Sequence, residues 1–210
     1  MTPALRKLNL TVHLITSIGW LGAVAGFLVL SIAGLASRDA DTVRGAYLAM
    51  NLIGQFVIVP LSLAALLTGL VQSLGTEWGL FRYYWVVAKF ALTIGAVILL
   101  FLHQFTAVAG AARRASAAPP GTRPDVGQLG IQLVGDAALA VVLLLAITAL
   151  GVYKPWGRTP YGLRLPDLPH NEASMPSGLK VFLVIIGLIM ALFLVVHLAG
   201  GGLGHHGHGG

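Results

Sequence analysis

The sequence predicts an all-α integral membrane bundle of five transmembrane helices, and three observations carry that prediction. Apolar residues make up 57% of the 210 residues and charged residues only 10%, against roughly 25% charged in soluble domains. The mean hydropathy is +0.86, so too few polar groups exist to coat a water-exposed surface. The apolar residues gather into runs long enough to cross a hydrocarbon core of about 30 Å at about 1.5 Å per residue. None of these runs alternates as a barrel strand would, and backbone groups in lipid must otherwise be satisfied within a helix.

The first run covers residues 8–36. Arg6 and Lys7 precede it as the n-region of a signal peptide would, but the run is too long for an h-region and offers no clean cleavage context. It reads as a retained first span, in which Gly22 and Gly26 form a small-residue pair suited to close helix approach. The second run, 46–74, contains Pro60, which should kink it and release a carbonyl. The third covers 83–105, with an extension to Ala111, the fourth 130–153 and the fifth 179–198. Between them lie "SRDADTVRG" (37–45), "GTEWGLFRY" (75–83) and "ASAAPPGTRPD" (115–125), each rich in turn-forming or charged residues. The longest connection, 153–177, carries prolines that argue against a regular helix. In it Tyr153, Trp156 and Tyr161 suit interfacial anchors, with Lys154 and Arg158 meeting lipid phosphates. Residues 1–198 therefore read as one transmembrane domain, and 199–210 as a flexible Gly/His-rich tail.

The formal charge of +6 does not signal a nucleic-acid partner, because the basic residues are spread over the connections rather than gathered in a stripe. They act as topology signals. Arg6, Lys7, Arg82, Lys154, Arg158, Arg164 and Lys180 fall on the side of the N-terminus, against Arg38, Arg44, Arg113, Arg114 and Arg123 on the other. That bias places the N-terminus in the cytoplasm and the C-terminus outside the cell membrane. With no cysteine in the chain, disulfides, thiolate metal sites and thiol catalysis are all excluded. Neither a hydrolase constellation nor a Gly-rich phosphate loop is present.

Ionisable residues within spans are the informative ones, because a charge at the bilayer centre costs roughly 2.5–3.5 kcal/mol on insertion scales. The candidates are His13 on the first span, Lys89 and His103 on the third, Asp136 on the fourth and His197 on the fifth, with Gln55 on the second as an uncharged companion. Alternation of the spans sorts them by depth. His13 and Lys89 fall in the inner leaflet, and His103, Asp136 and His197 in the outer one. Lys89 and His103 are about 14 residues apart, nearly four turns, so they share one face of their helix about 21 Å apart. Two histidines on different helices at one depth suit bis-imidazole ligation of haem b. Asp136 then acts as a second-shell acceptor, joins the histidines around copper or zinc, or pairs with Arg113 or Arg114. Taken singly, each histidine also fits a helix end meeting water or headgroups, and Lys89 a snorkelling side chain. In the tail, His205, His206 and His208 alternate with glycine and can collect Cu(II) or Zn(II).

"LNLTVHLITSIGWLGAVAGFLVL", with His13, Trp20 and Gly22, resembles the first helix of the copper resistance D family and of the haem-binding protoporphyrinogen oxidase family. "YYWVVAKFALTIGAVILLFLH" resembles their later helix, with Lys89 at the matching lysine. The chain as a whole, including "VYKPWGRTPYG", is similar to uncharacterised bacterial polytopic membrane proteins related to both. The resemblance implies haem-site roles for His13 and Lys89. This chain departs in lacking a histidine beside Lys89 and in adding His103, His197 and the tail.

The leading expectation is a membrane-embedded haem b or transition-metal protein with a redox or electron-transfer role. If it is an enzyme, it is a haem-dependent membrane oxidoreductase. In that reading His103 and His197 ligate on the outer side, His13 and Lys89 hold or tune a second site, and a membrane redox partner or larger complex receives the electrons. Copper handling is the alternative, with only Met50 and Met190 as soft ligands in the spans. A non-catalytic accessory subunit of a larger complex is the third.

Overall fold

In the computed structural model, residues 2–76 and 79–163 are described, all within one compact unit, residues 1–170. Four long helices dominate: α1 (Pro3–Ala36), α2 (Ala40–Gly75), α3 (Tyr84–Ala117) and α4 (Gln128–Tyr153). All four are long and apolar enough to cross a membrane, which is compatible with an integral membrane protein. A single turn, α5 (Pro160–Leu163), follows. The predicted fifth span, 179–198, lies outside the described residues together with His197 and the tail histidines His205, His206 and His208. The described residues thus hold four helices of spanning length, no β-strand and only an isolated bridge between Tyr83 and Arg158.

The helices run past the apolar windows that announce them. Hydropathy marks the stretch that lipid demands, whereas a helix continues until its backbone finds another way to end. α1 starts at Pro3, where a missing N–H costs nothing, with the Thr2 hydroxyl accepting from the Leu5 amide. α2 starts at Ala40 because the Asp39 carboxylate accepts from the Thr42 amide and hydroxyl at 2.8 and 2.6 Å. α3 continues to Ala117 through "AGAARRASA", a run of strong helix formers that hydropathy alone ends too early. Arginines then satisfy the exposed carbonyls at that end of the bundle. Arg44 donates to Ala118 and Pro119, Arg114 to Val126, and Arg123 to Leu35 and Ser37.

Neighbouring helices are antiparallel: Asn9 near the start of α1 bonds to Thr68 and Gln72 near the end of α2, while Gly34 lies against the Tyr47 ring. α1 packs on α2 and α4, and α3 likewise on α2 and α4, so the four form a ring with α1 diagonal to α3. Large apolar side chains such as Ile18, Val29, Phe56 and Val152 face outward. Among the described residues the predicted Gly22/Gly26 approach is not made, since a Cβ at either position would meet nothing within 4 Å. The connection after α4 is irregular apart from α5. Thr159 ties it down by donating its hydroxyl to Phe81 and its amide to Arg82, and Trp156 packs on Tyr83, Trp85 and Val86.

Pro60 deforms α2 as expected, and the form is a π-helical turn, Gly54–Ile58, directly before it. Proline offers no N–H to the carbonyl four residues back and its ring would strike that carbonyl, so the helix widens by one residue. A second π turn, Gln104–Val108, interrupts α3 with no proline near it. The two turns lie side by side. Gln104, 1% exposed, packs its amide against Gly54 and donates to the Asn51 carbonyl and side-chain oxygen at 3.3 and 3.2 Å. Only glycine fits there, because a Cβ at residue 54 would collide with the Gln104 amide.

Gly54→Ala should therefore lower the thermal midpoint in detergent by an overpacking cost of about 1–3 kcal/mol. Adding Gln104→Ala should recover part of that loss, because the obstructing amide is gone. Additive losses in the double variant would show that the two turns do not interlock.

Candidate functional site

The polar residues of the bundle meet at two levels. At the first, on the side of the α1 start, the His13 ring reaches α2, with Nδ1 3.0 Å from the Thr68 hydroxyl oxygen. That hydroxyl already donates to the Ala64 carbonyl at 2.6 Å, so it accepts from His13 Nδ1–H. In the neutral ring Nε2 is then the acceptor nitrogen. Gly69 makes room, because a Cβ there would stand 3.1 Å from His13 Cε1. Lys89 sits on the diagonal helix α3. Its Nζ reaches across to α4, where a Cβ on Gly151 would be 3.0 Å away.

At the second level, His103 Nδ1 and Asp136 Oδ2 stand 2.9 Å apart between α3 and α4, both side chains largely buried at 14% and 11% exposure. The two groups stand at ion-pair distance on different helices. Asp136 therefore pairs with His103 rather than with Arg113 or Arg114, and Arg114 is occupied by the Val126 carbonyl. The adjacent residue Gln104 turns toward α2, where Gln55 also meets the Asn51 side-chain oxygen at 3.5 Å. Three helices thus contribute to one polar layer.

The shared face of Lys89 and His103 is real. α3 is regular from Tyr84 to His103, so the two residues, about 21 Å apart along the axis, both address α4, one at Gly151 and one at Asp136. His103 meets Asp136 as depth alone suggests, whereas His13 turns to Thr68 on α2 and Lys89 to Gly151 on α4. The sequence does not reveal Thr68, Gly69 or Gly151, which hold or make room for these side chains. Gly69 and Gly151 look like ordinary small membrane residues, and Thr68 carries no signal beyond being polar in an apolar run. Gln104, next to His103 in "LHQF", is the one missed residue that the sequence does flag.

Among the described residues, no group of three or more His, Cys, Asp or Glu gathers as a metal centre would require. What they do form is a carboxylate-held imidazole. A bidirectional consequence follows: loss of either partner leaves the other polar and enclosed. Interhelical hydrogen bonds in membrane bundles are worth about 0.6 kcal/mol on average and about 1.7 at most. A double-mutant cycle of His103→Ala and Asp136→Ala, read by unfolding in detergent, should give a coupling in the upper part of that range. Zero coupling would mean that the pair contributes nothing to helix association.

Compared with known proteins, the chain matches no family model, no curated protein and no solved structure.

Proposed function

We propose that this integral membrane protein binds haem b or a transition metal and serves a redox or electron-transfer role. The observation that supports the reading is the His103–Asp136 pair: an imidazole inside the bundle with Nδ1 held by a carboxylate at 2.9 Å. Metal-ligating histidines are usually oriented in this way, by an acceptor on the other ring nitrogen. Apolar side chains of α3 and α4, including Val97 and Leu133, exclude water around the pair's helices. A bis-imidazole haem needs a second donor beside His103. Bound haem would supply one-electron chemistry. The sequence-based expectation that His197 is a second ligand goes to the same test.

The reading extends to orientation. The end of the bundle holding the α1 start carries Arg6, Lys7, Arg82, Lys154 and Arg158 with no described carboxylate, whereas Asp39, Asp41 and Asp125 sit with the arginines of the other end. Under the positive-inside rule this favours a cytoplasmic N-terminus in the cell membrane.

Full-length protein purified in detergent should show a Soret band with a reduced-minus-oxidised difference, or a stoichiometric metal by elemental analysis. His103→Ala and His197→Ala should each abolish the signal, and Asp136→Asn should weaken cofactor affinity by about 10–100-fold. Protein with neither chromophore nor metal, from cells supplied with haem precursor and copper, would overturn the proposal and leave the pair as an interhelical hydrogen bond.

A further inference from the structure

The amide side chains of the bundle divide by helix. Asn9, Asn51, Gln55, Gln72 and Gln104, on α1, α2 and α3, are all hydrogen-bonded within the bundle. Gln128 and Gln132, one turn apart on α4, have no hydrogen-bond partner among the described residues. The next residue in the same series is Asp136. It turns Oδ2 to His103, and that oxygen and both His103 ring nitrogens are closed to solvent, whereas Oδ1 is not.

Four residues advance a helix by about 6 Å and about 400°, so each member of this series stands about 40° round from the one before. The stripe starts at exposed Gln128 beside the α3–α4 connection, passes half-buried Gln132 and ends at Asp136, 11% exposed, against α3. Leu129 marks the same side of α4 as facing α3, since a Cβ on Gly110 would stand 3.6 Å from its Cδ1. Gly135 borders the stripe with open space, where a Cβ would meet nothing within 4 Å, while Leu133 and Ala137 on the core side are buried. The three polar groups therefore follow the rim of the α3–α4 seam. An amide left unpaired away from water costs about 1–3 kcal/mol, and neither its own backbone nor a described helix serves Gln132. Water is the remaining partner. Gaps of about 6 Å are bridged by one water making two hydrogen bonds of about 2.8 Å.

We propose that Gln128, Gln132 and Asp136 line a water-filled entry along α4, open at the α3–α4 connection and closed about 12 Å inside by the His103–Asp136 contact. It admits water and small hydrophilic solutes to Oδ1 of Asp136 and no further, because Oδ2 and the imidazole nitrogens are enclosed. The entry rests on the α4 side chains and does not depend on a cofactor at His103.

The chain has no cysteine, so single cysteines report wetting directly: a thiol reacts as its thiolate, which forms in water and not in hydrocarbon. In sealed vesicles, Gln132→Cys should react with a membrane-impermeant, charged methanethiosulfonate from the side that labels Thr122→Cys in the exposed α3–α4 connection, within about tenfold of its rate. Ile131→Cys, the neighbouring position and 61% exposed on the apolar surface, should react at least about 100-fold more slowly. Gly135→Cys, which removes no hydrogen bond, should label like Gln132→Cys and carries the test if that variant fails to fold. Ala140→Cys, one step beyond Asp136 in the series, should stay unlabelled. Gln132→Cys and Gly135→Cys reacting no faster than Ile131→Cys would overturn the entry, and fast labelling of Ala140→Cys would overturn its closure at the pair.

Discussion

A polar side chain in this bundle has no favourable outward direction, and that constraint shapes the rest of the structure. The outer surface is made of residues such as Ile18, Phe56 and Val152, so a hydroxyl, amide or imidazole must find its partner on its own backbone or on another helix. The small hydroxyls take the first route. Ser31, Ser62 and Ser73 are buried and bond back to the carbonyls of Leu28, Val59 and Leu70. Longer groups take the second route, and each such choice fixes a helix pair: His13 with Thr68, Gln104 with Asn51, His103 with Asp136. Because each bond contributes little energy in a membrane, their effect is on register and on which faces meet.

The two π turns extend the same logic to the backbone. Each inserts an extra residue, so the faces before and after the turn are rotated relative to one another. In α3 the regular stretch up to His103 addresses α4 through Lys89 and His103. From the end of the turn onward Ala107, Val108, Ala111, Ala112 and Ala115 are buried, and this half of α3 packs on the start of α2. One helix thereby serves two neighbours with two different faces. Gln104 stands at the change, its amide on Gly54 of the matching turn in α2.

The resulting bundle keeps its chemistry at two separated levels. One level sets an imidazole 2.9 Å from a carboxylate. The other presents a cation and an acceptor nitrogen with no described acid nearby.

The amino-acid sequence by itself determined the class of structure and the depth of its polar groups. Lipid leaves a long apolar run one conformation, and antiparallel crossing then fixes which residues share a level, so His103 with Asp136 and His13 with Lys89 were legible from positions alone. The helix ends were less so, since Asp39 capping α2 and the alanine-rich close of α3 lie outside the apolar windows. What only the tertiary structure decided was angular: that Gly22 and Gly26 meet none of the described helices closely, that Gly69 and Gly151 make room for His13 and Lys89, and that the two π turns interlock through Gln104 and Gly54. Helices that are apolar on nearly every side carry no periodic signal saying which face turns inward. That choice falls to the few polar and glycine contacts that the packed bundle brings together.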